Sequence, residues 1–204
     1  MRVRTAAIAG WTCSGKTLFS RAVAARLTAE RAVVLSLDNY YRDTSAAPRA
    51  IRAAANYDEP DALDWRLFAE HFDALRRGGS VPRLHYDFGT KRRTEAGTIG
   101  PAGIVIAEGV LAFWIQPVWQ AADLRIHLDG DPDRLFARRL ARDSAERGYT
   151  AGEIRRRFFE MALPAQRRLL DGARESADLV IPMTWTPTEV RTIAALLAAA
   201  SPAS

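Results

Sequence analysis

The sequence predicts an α/β fold, a five-stranded parallel sheet with helices on both faces. Three features predict it. Five short runs are apolar, most of them on both faces, which is how strands buried in a parallel sheet read. Helix-patterned stretches separate most of these runs, and strand–helix alternation covers such a sheet on both sides. The first run leads straight into a glycine-containing loop that opens a helical pattern.

In chain order, VRTAAIA (3–9) is the first expected strand, KTLFSRAVAARLTAE (16–30) the first helix and AVVLSL (32–37) the second strand. TSAAPRAIRAAAN (44–56) reads as a flexible or weakly helical connection. Residues 64–79 carry apolar positions at three- and four-residue spacing and stop on glycines, a helix with a C-terminal signal. GIVIAE (103–108) and ADLRIHL (122–128) are the next strands. Residues 131–148 start with Asp-Pro, a helix-opening pair. Residues 153–176 form a long helix that Pro164 is expected to kink. ADLVIP (177–182) is the last strand, TPTEVRTIAALLAAA (186–200) the last helix, and the SPAS tail reads as frayed. With no repeat and no low-complexity linker, 204 residues suit a single domain with a full core.

Composition narrows the setting. The hydrophobic fraction, 48%, is that of a water-soluble globular chain. No apolar run approaches the about 18 residues of a membrane span, and the N-terminus lacks a signal-peptide pattern. The lone cysteine, Cys13, allows no internal disulfide, which agrees with a reducing compartment, so a cytoplasmic protein is expected. The net charge of +5 admits nucleic acid or a small polyphosphorylated substrate as partner. Because the only lysines are Lys16 and Lys91, the placement of the arginines says more than overall basicity.

GWTCSGKT (10–17) fits the G-x-x-x-x-G-K-[ST] phosphate loop, with a strand before it and a helix after. The glycines permit a tight turn that aims successive N–H groups at phosphate oxygens, and the helix N-terminus adds partial positive charge. Gly10, Thr12, Cys13, Ser14, Gly15, Lys16, Thr17 and Leu18 are the expected ATP contacts. Lys16 is expected at the β- and γ-phosphates and Thr17 at Mg²⁺. Such a loop serves ATPases, GTPases and kinases alike. Cys13 sits where N–H groups could lower its pKa, or it is a small filler.

An acceptor site needs further groups. SLDNYY (36–41) ends the second strand and puts Asp38 on the ligand-binding rim, either as a proton acceptor for an attacking hydroxyl or as a turn aspartate. In NYDEPDALDW (56–65), Pro60 holds Glu59 extended and Asp61 or Asp64 caps the next helix, which leaves Asp58 available to a sugar diol. HYDFGTKRR (85–93) sets aromatics beside cations; Tyr86 and Phe88 either stack on a base or pack in the core. Glu108 ends an apolar strand as a metal-supporting carboxylate does. Arg138, Arg139, Arg142 and Arg147 crowd one side of a helix, where Asp143 and Glu146 are expected to relieve little of the repulsion and an anionic ligand much more.

IAGWTCSGKT, SLDNYY, NYDEPDALDW, HYDF, IAEGVLAF, DPDRLFARRLARDSAERG and ADLVIP, in this order, resemble the uridine kinase (uridine–cytidine kinase) family, within the phosphoribulokinase and uridine kinase group of P-loop kinases. The resemblance spans residues 5 to 183. It implies the P-loop NTPase fold with a small acceptor-binding insertion (about 38–93) and an Arg-rich lid (about 138–157). It also implies transfer of phosphate from ATP, with Mg²⁺, to the 5′-hydroxyl of a pyrimidine ribonucleoside. By position, Asp38 would be the general base, Tyr41 would line the acceptor pocket, Asp58 would bind ribose and Tyr86 the base. Glu108 would support the metal, and Arg142 and Arg147, with Arg139 beside them, would be lid arginines. A homo-oligomer is implied, with no nucleic-acid or membrane partner.

The chain departs from the family pattern at Lys91, Tyr149 and Arg157, where a histidine, an arginine and a glutamine near the acceptor are usual. Lys91 and Arg157 would suit an acceptor with negative charge or extra hydrogen-bond acceptors, or both point to solvent. Alternatives are another small alcohol, such as a modified nucleoside, sugar phosphate or pantothenate-like acceptor, and a non-catalytic nucleotide-sensing or nucleic-acid-binding protein.

Overall fold

The computed structural model of the protein describes residues 2–28 and 31–199. Its elements are β1 (Arg4–Gly10), α1 (Lys16–Ala24), β2 (Ala32–Ser36), α2 (Arg49–Ala54), α3 (Trp65–Arg76), β3 (Val81–Asp87), β4 (Arg92–Ile99) and β5 (Ile104–Glu108). Then follow α4 (Gln116–Ala121), β6 (Leu124–Asp129), α5 (Pro132–Arg147), α6 (Ala151–Arg156), α7 (Leu163–Leu169), β7 (Leu179–Pro182) and α8 (Pro187–Ala199).

Five strands form one parallel sheet in the order β2-β5-β1-β6-β7. These are the five apolar runs of the sequence. β1 is central, and its side chains alternate between two cores. Ala7 and Ala9 face Phe68, Phe72, Leu75 and Val118, which come from α3 and α4. Ala6 and Ile8 face Phe19, Val23, Val190 and Ile193, which come from α1 and α8. A third, smaller cluster of Leu135, Phe158, Leu163 and Met183 lies between α5 and the segment that follows it.

Three departures from the sequence reading concern backbone path. β3 and β4 form an antiparallel hairpin that the sequence pattern did not announce. Most of its residues are exposed, so it shows no apolar run. Its turn is set by Asp87, whose carboxylate accepts from Gly89 N–H (2.7 Å) and Thr90 N–H (3.2 Å), the usual work of an aspartate in a turn. Second, the long helix expected over 153–176 is three segments, α6, a wide π-type stretch over Arg157–Ala162, and α7, which ends at Leu169, and residues 170–176 are turn rather than helix. Helical dihedrals persist at Arg156 and Leu163, so the chain accommodates Pro164 by widening the preceding turn. Third, α1 stops at Ala24. The last expected residues of that helix, 29 and 30, and the tail at 200–204 lie outside the described residues.

The end of β1 fits only glycine. Gly10 has φ 141°, and a Cβ there would stand 2.2 Å from the carbonyl oxygen of Leu128 on β6. Gly10→Ala must therefore part β1 from β6 or move the loop. The expected cost is roughly 2–4 kcal/mol of unfolding free energy, measured by urea denaturation.

Candidate active site

The loop between β1 and α1 turns on positive φ at Gly10, Cys13 (60°) and Gly15 (94°). Lys16 is nearly buried, and its Nζ donates to the Trp11 carbonyl at 2.7 Å across the loop. Burial lowers its pKa, while the Glu108 and Asp38 charges oppose the shift. Thr17 Oγ1 donates to Glu108 Oε1 at 3.1 Å, and the Ser36 hydroxyl donates to the same oxygen. Burial first, and the Asp38 charge second, push the Glu108 carboxyl upward. Two hard oxygen donors therefore adjoin at the helix N-terminus, and one is a buried carboxylate whose charge a divalent cation would stabilise. These residues fit Mg²⁺, which takes few protein ligands when phosphates supply the rest.

A cleft of about 640 Å³ extends from this loop. At one end are Thr12, Cys13, Gly15, Lys16, Thr17 and the exposed Leu18; Arg138, Thr184 and Trp185 lie beside them. At the other are Asp38, Tyr41, Tyr57, Asp58, Phe88 and Lys91. Burial, then the charges of Asp38 and Asp58, push the Tyr41 hydroxyl well up. The Asp58 carboxylate is 14% exposed; burial raises its pKa, opposed by Arg139 and by a hydrogen bond from Gln166. Pro60 leaves Glu59 extended as expected, and Glu59 pairs with Arg168 at 2.7 Å, which is structural work. Asp64 stands at the N-cap of α3 without a capping bond and pairs with Arg93 at 3.3 Å instead.

The arginines of α5 close the cleft, and here one expectation fails. Asp143 is 1% exposed and pairs with Arg142 (2.8 Å), Arg139 (3.4 Å) and Arg147 (3.5 Å). It is the main internal counter-ion of the α5 arginines rather than a minor one, because Arg139 and Arg147 at i−4 and i+4 share its face of the helix. Arg139 also reaches Asp58 at 3.7 Å, so α5 is tied across the cleft to the segment that carries Asp58. Its Nη1 is buried with no hydrogen-bond partner among the described residues. Arg147 lies over the Phe88 ring at 4.3 Å, and Arg157 over the Tyr149 ring at 5.0 Å.

The expected site residues thus converge, with few exceptions. Lys91, Tyr149 and Arg157, where the chain departs from the resembled pattern, all line the cleft. Gly10, Ser14 and Glu108 lie beneath it, and Glu108 connects to it through Thr17. Tyr86 is not brought to it. It is 3% exposed and packs behind Tyr41 and Phe88, so Phe88 is the ring of that segment that faces ligand. Phe88 lies one residue past the end of β3, in the turn, so it is free of the facing that the strand imposes on Tyr86.

The comparisons with known proteins agree with this geometry. The chain matches the Phosphoribulokinase / Uridine kinase family over residues 5–189. The chain belongs to that family. Among relatives of this kinase, the uridine kinase of Deinococcus deserti is 36% identical over 176 residues, 86% of this chain and 85% of its own length. That of Halobacterium salinarum is 35% identical over 86% of this chain and 78% of its own. Among solved structures, a Silicibacter sp. TM1040 protein described as a candidate fructose transport system kinase superposes with a TM-score of 0.74 at 25% identity, covering 89% and 90% of the two chains. The Rhodobacter spheroides phosphoribulokinase superposes at 0.65, covering 91% and 74%; at 16% identity it shows the shared fold. The protein is therefore a kinase, a phosphotransferase with an alcohol acceptor, and its family implies ATP as donor.

Sequence reasoning missed Gln166. It is fully buried, and its side chain links the phosphate loop to Asp58: Thr12 N–H donates to its Oε1 and its Nε2 donates to Asp58 Oδ1, both at 2.8 Å. Its only sequence signal is a polar residue at a buried helix position, which no local pattern marks. Asp143 was seen but undervalued. Asp143→Asn is expected to lower stability by about 2–3 kcal/mol, the lower side of the loss of a buried ion-pair partner because Arg142 is one-third exposed. Thermal unfolding measures it.

Proposed function

We propose that this kinase transfers the γ-phosphoryl group of ATP, with Mg²⁺, to the 5′-hydroxyl of uridine, cytidine or a related pyrimidine ribonucleoside. One observation carries the reading: two carboxylates, Asp38 and Asp58, face the same cleft as Lys16 and Thr17. A nucleotide sensor needs the second pair but not the first.

In this reading Lys16 and the loop N–H groups hold the β- and γ-phosphates. Asp38 accepts the proton of the attacking hydroxyl as the new O–P bond forms and the bond to the ADP oxygen breaks. Asp58 accepts hydrogen bonds from the ribose diol, and Tyr41 and Phe88 wall the pocket. Arg142 and Arg147 offset charge on the transferring group, and the Nη1 of Arg139, without a hydrogen-bond partner among the described residues, is a donor for a ligand oxygen. Thr17 and Glu108 would hold Mg²⁺, which supplies neutralisation of phosphate charge. The whole chain acts as one kinase domain, with the acceptor-binding segment at about 38–93 and the lid at about 138–157. It is read as a cytoplasmic homo-oligomer without nucleic-acid or membrane partners; no helix among the described residues is long and apolar enough to cross a membrane.

Asp38→Asn is expected to cut turnover by roughly 10²–10⁴, the usual worth of a general base, while leaving ATP binding intact. Phosphotransfer assays with uridine and cytidine, and calorimetry with ATP, test it. Near-normal turnover removes Asp38 from the role. Salt-dependent RNA or DNA binding without phosphotransfer replaces the reading altogether.

A second reading keeps the chemistry and changes the acceptor, and Lys91 favours it. Lys91 is 9% exposed and lies over the rings of Tyr57 (4.9 Å) and Phe88 (5.8 Å), with no carboxylate among the described residues paired to its ammonium. Burial, then the neighbouring Arg147 and Arg157 charges, lower its pKa to about 8. An acceptor with a carboxylate or phosphate group would relieve that strain. If so, an anionic acceptor outruns uridine below pH 8. The preference fades as Lys91 loses its proton above pH 8 and is absent in Lys91→Met. Equal preference in Lys91→Met and the unaltered enzyme sinks this second reading.

A further inference from the structure

Gln166 stands where the two halves of the cleft meet, and its hydrogen-bond chemistry is one-directional. The Thr12 N–H is only a donor, so it requires the amide oxygen. The opposite end of the amide must then be the NH₂ group, which requires an acceptor, and it meets Asp58 Oδ1. Flipping the amide would oppose donor to donor at Thr12 and oxygen to carboxylate oxygen at Asp58. The arrangement therefore keeps a proton off Asp58 Oδ1. An acid protonated on Oδ2 could still accept the bond, but Oδ2 is the oxygen that faces the Arg139 guanidinium, and the amide N–H bonds more strongly to the ionised carboxylate.

We propose that Gln166 is a positioning residue that holds Asp58 ionised and fixes which of its oxygens is left to the phosphate acceptor, using a backbone N–H of the phosphate loop as its anchor. The inference rests on the reading that Asp58 binds the acceptor. Gln166 is fully buried on α7, directly after the π-type stretch. Burial alone would drive Asp58 toward its neutral form. Arg139 opposes that from 3.7 Å, a distance beyond a hydrogen bond. The Gln166 bond at 2.8 Å is the short directional contact on the carboxylate. Oδ1 is thereby occupied, and Oδ2, on the Arg139 side, is the oxygen left for a ligand hydroxyl. The other charged or titratable groups facing Asp58 are Asp38, Tyr41 and Arg142. A consequence for the phosphate loop is that the Thr12 N–H is committed to Gln166 and is not a phosphate donor.

Two variants separate positioning from simple packing. Gln166→Glu keeps an acceptor for Thr12 and sets a carboxylate against Asp58; Gln166→Leu removes both bonds without adding charge. Both are expected to lower kcat/KM for the acceptor by roughly 10- to 100-fold, the worth of one hydrogen bond to a charged group. KM for ATP should stay within about twofold, because Thr12 makes no phosphate contact in this account. The acid limb of the kcat/KM profile for the acceptor should move to higher pH by roughly one unit, because the variant no longer favours the ionised form. A packing role would lower thermal stability and degrade ATP and acceptor parameters together without moving the limb, and that result overturns the inference.

A carbon-13 titration of the Asp58 carboxyl in the unaltered protein and in Gln166→Leu needs no acceptor. An unchanged midpoint also overturns it. Asp58→Asn keeps the two readings apart. If that variant leaves acceptor kinetics intact, the role of Asp58 in the proposed function is lost, and with it the kinetic part of this inference. If it impairs them while the Gln166 variants do not, only the inference falls. In the double variant Asp58→Asn with Gln166→Leu, the second change should add little, the non-additivity expected of residues acting through one contact.

Discussion

The site depends on the register of the parallel sheet. Glu108 is paired with Ile8 on one side and Ser36 on the other, and Gly10, two residues beyond Ile8, is paired with Leu128. This sets the phosphate loop, the buried Glu108 carboxylate and the strand end that leads into Asp38 on one rim. A slip of one residue would reverse the facing of every side chain in the strand and turn Glu108 into an apolar layer. The alternating split of β1 between two helix-covered cores makes that slip costly. The fit of Gly10 against Leu128 closes the remaining freedom, because two backbones meet there with no room for a side chain.

Charge is the second organising constraint. The cleft is lined by Lys16, Lys91 and five arginines against Asp38, Asp58 and Asp143. Such a concentration of cations suits a polyphosphate but opposes folding in its absence. Asp143 answers this by serving three arginines from one buried position. Arg139 then carries the network across to Asp58. Gln166 makes a parallel connection from the phosphate loop to the same carboxylate. Asp58 is thus the point at which the phosphate loop, through Gln166, and the α5 arginines meet.

The legible parts of the site were those whose chemistry is local in sequence. GWTCSGKT shapes its own loop, and Asp38 and Glu108 stand at the ends of strands whose apolar runs are plain. Asp58 was singled out by assigning structural work to its neighbours Glu59, Asp61 and Asp64, and it lines the cleft. The structure gives Glu59 and Asp64 partners outside the cleft, although Asp64 pairs with Arg93 rather than capping with its side chain. The errors arose where facing, not residue type, decides. Tyr86 and Phe88 differ in placement because β3 enters a hairpin that no apolar run announced: Tyr86 is paired within the strand, while Phe88 falls in the turn just beyond it. Asp143 looked like one acid among many bases, since its value comes from burial and from helical spacing to Arg139 and Arg147.

By itself the sequence determined the strand and helix order, the phosphate loop and the carboxylates at the strand ends, because each depends on neighbours within a few residues. Tertiary structure alone decided which residues Asp58 answers to. Gln166 lies 108 residues from Asp58 and 154 from Thr12, and only the return of α7 over the cleft brings its amide between them. For Lys91 the sequence left two placements open, facing the ligand or facing solvent, and only the fold sets its ammonium over two aromatic rings in the cleft. Contacts of such separation leave no local pattern, since what selects the residue is burial beside a polar group that only the folded chain supplies.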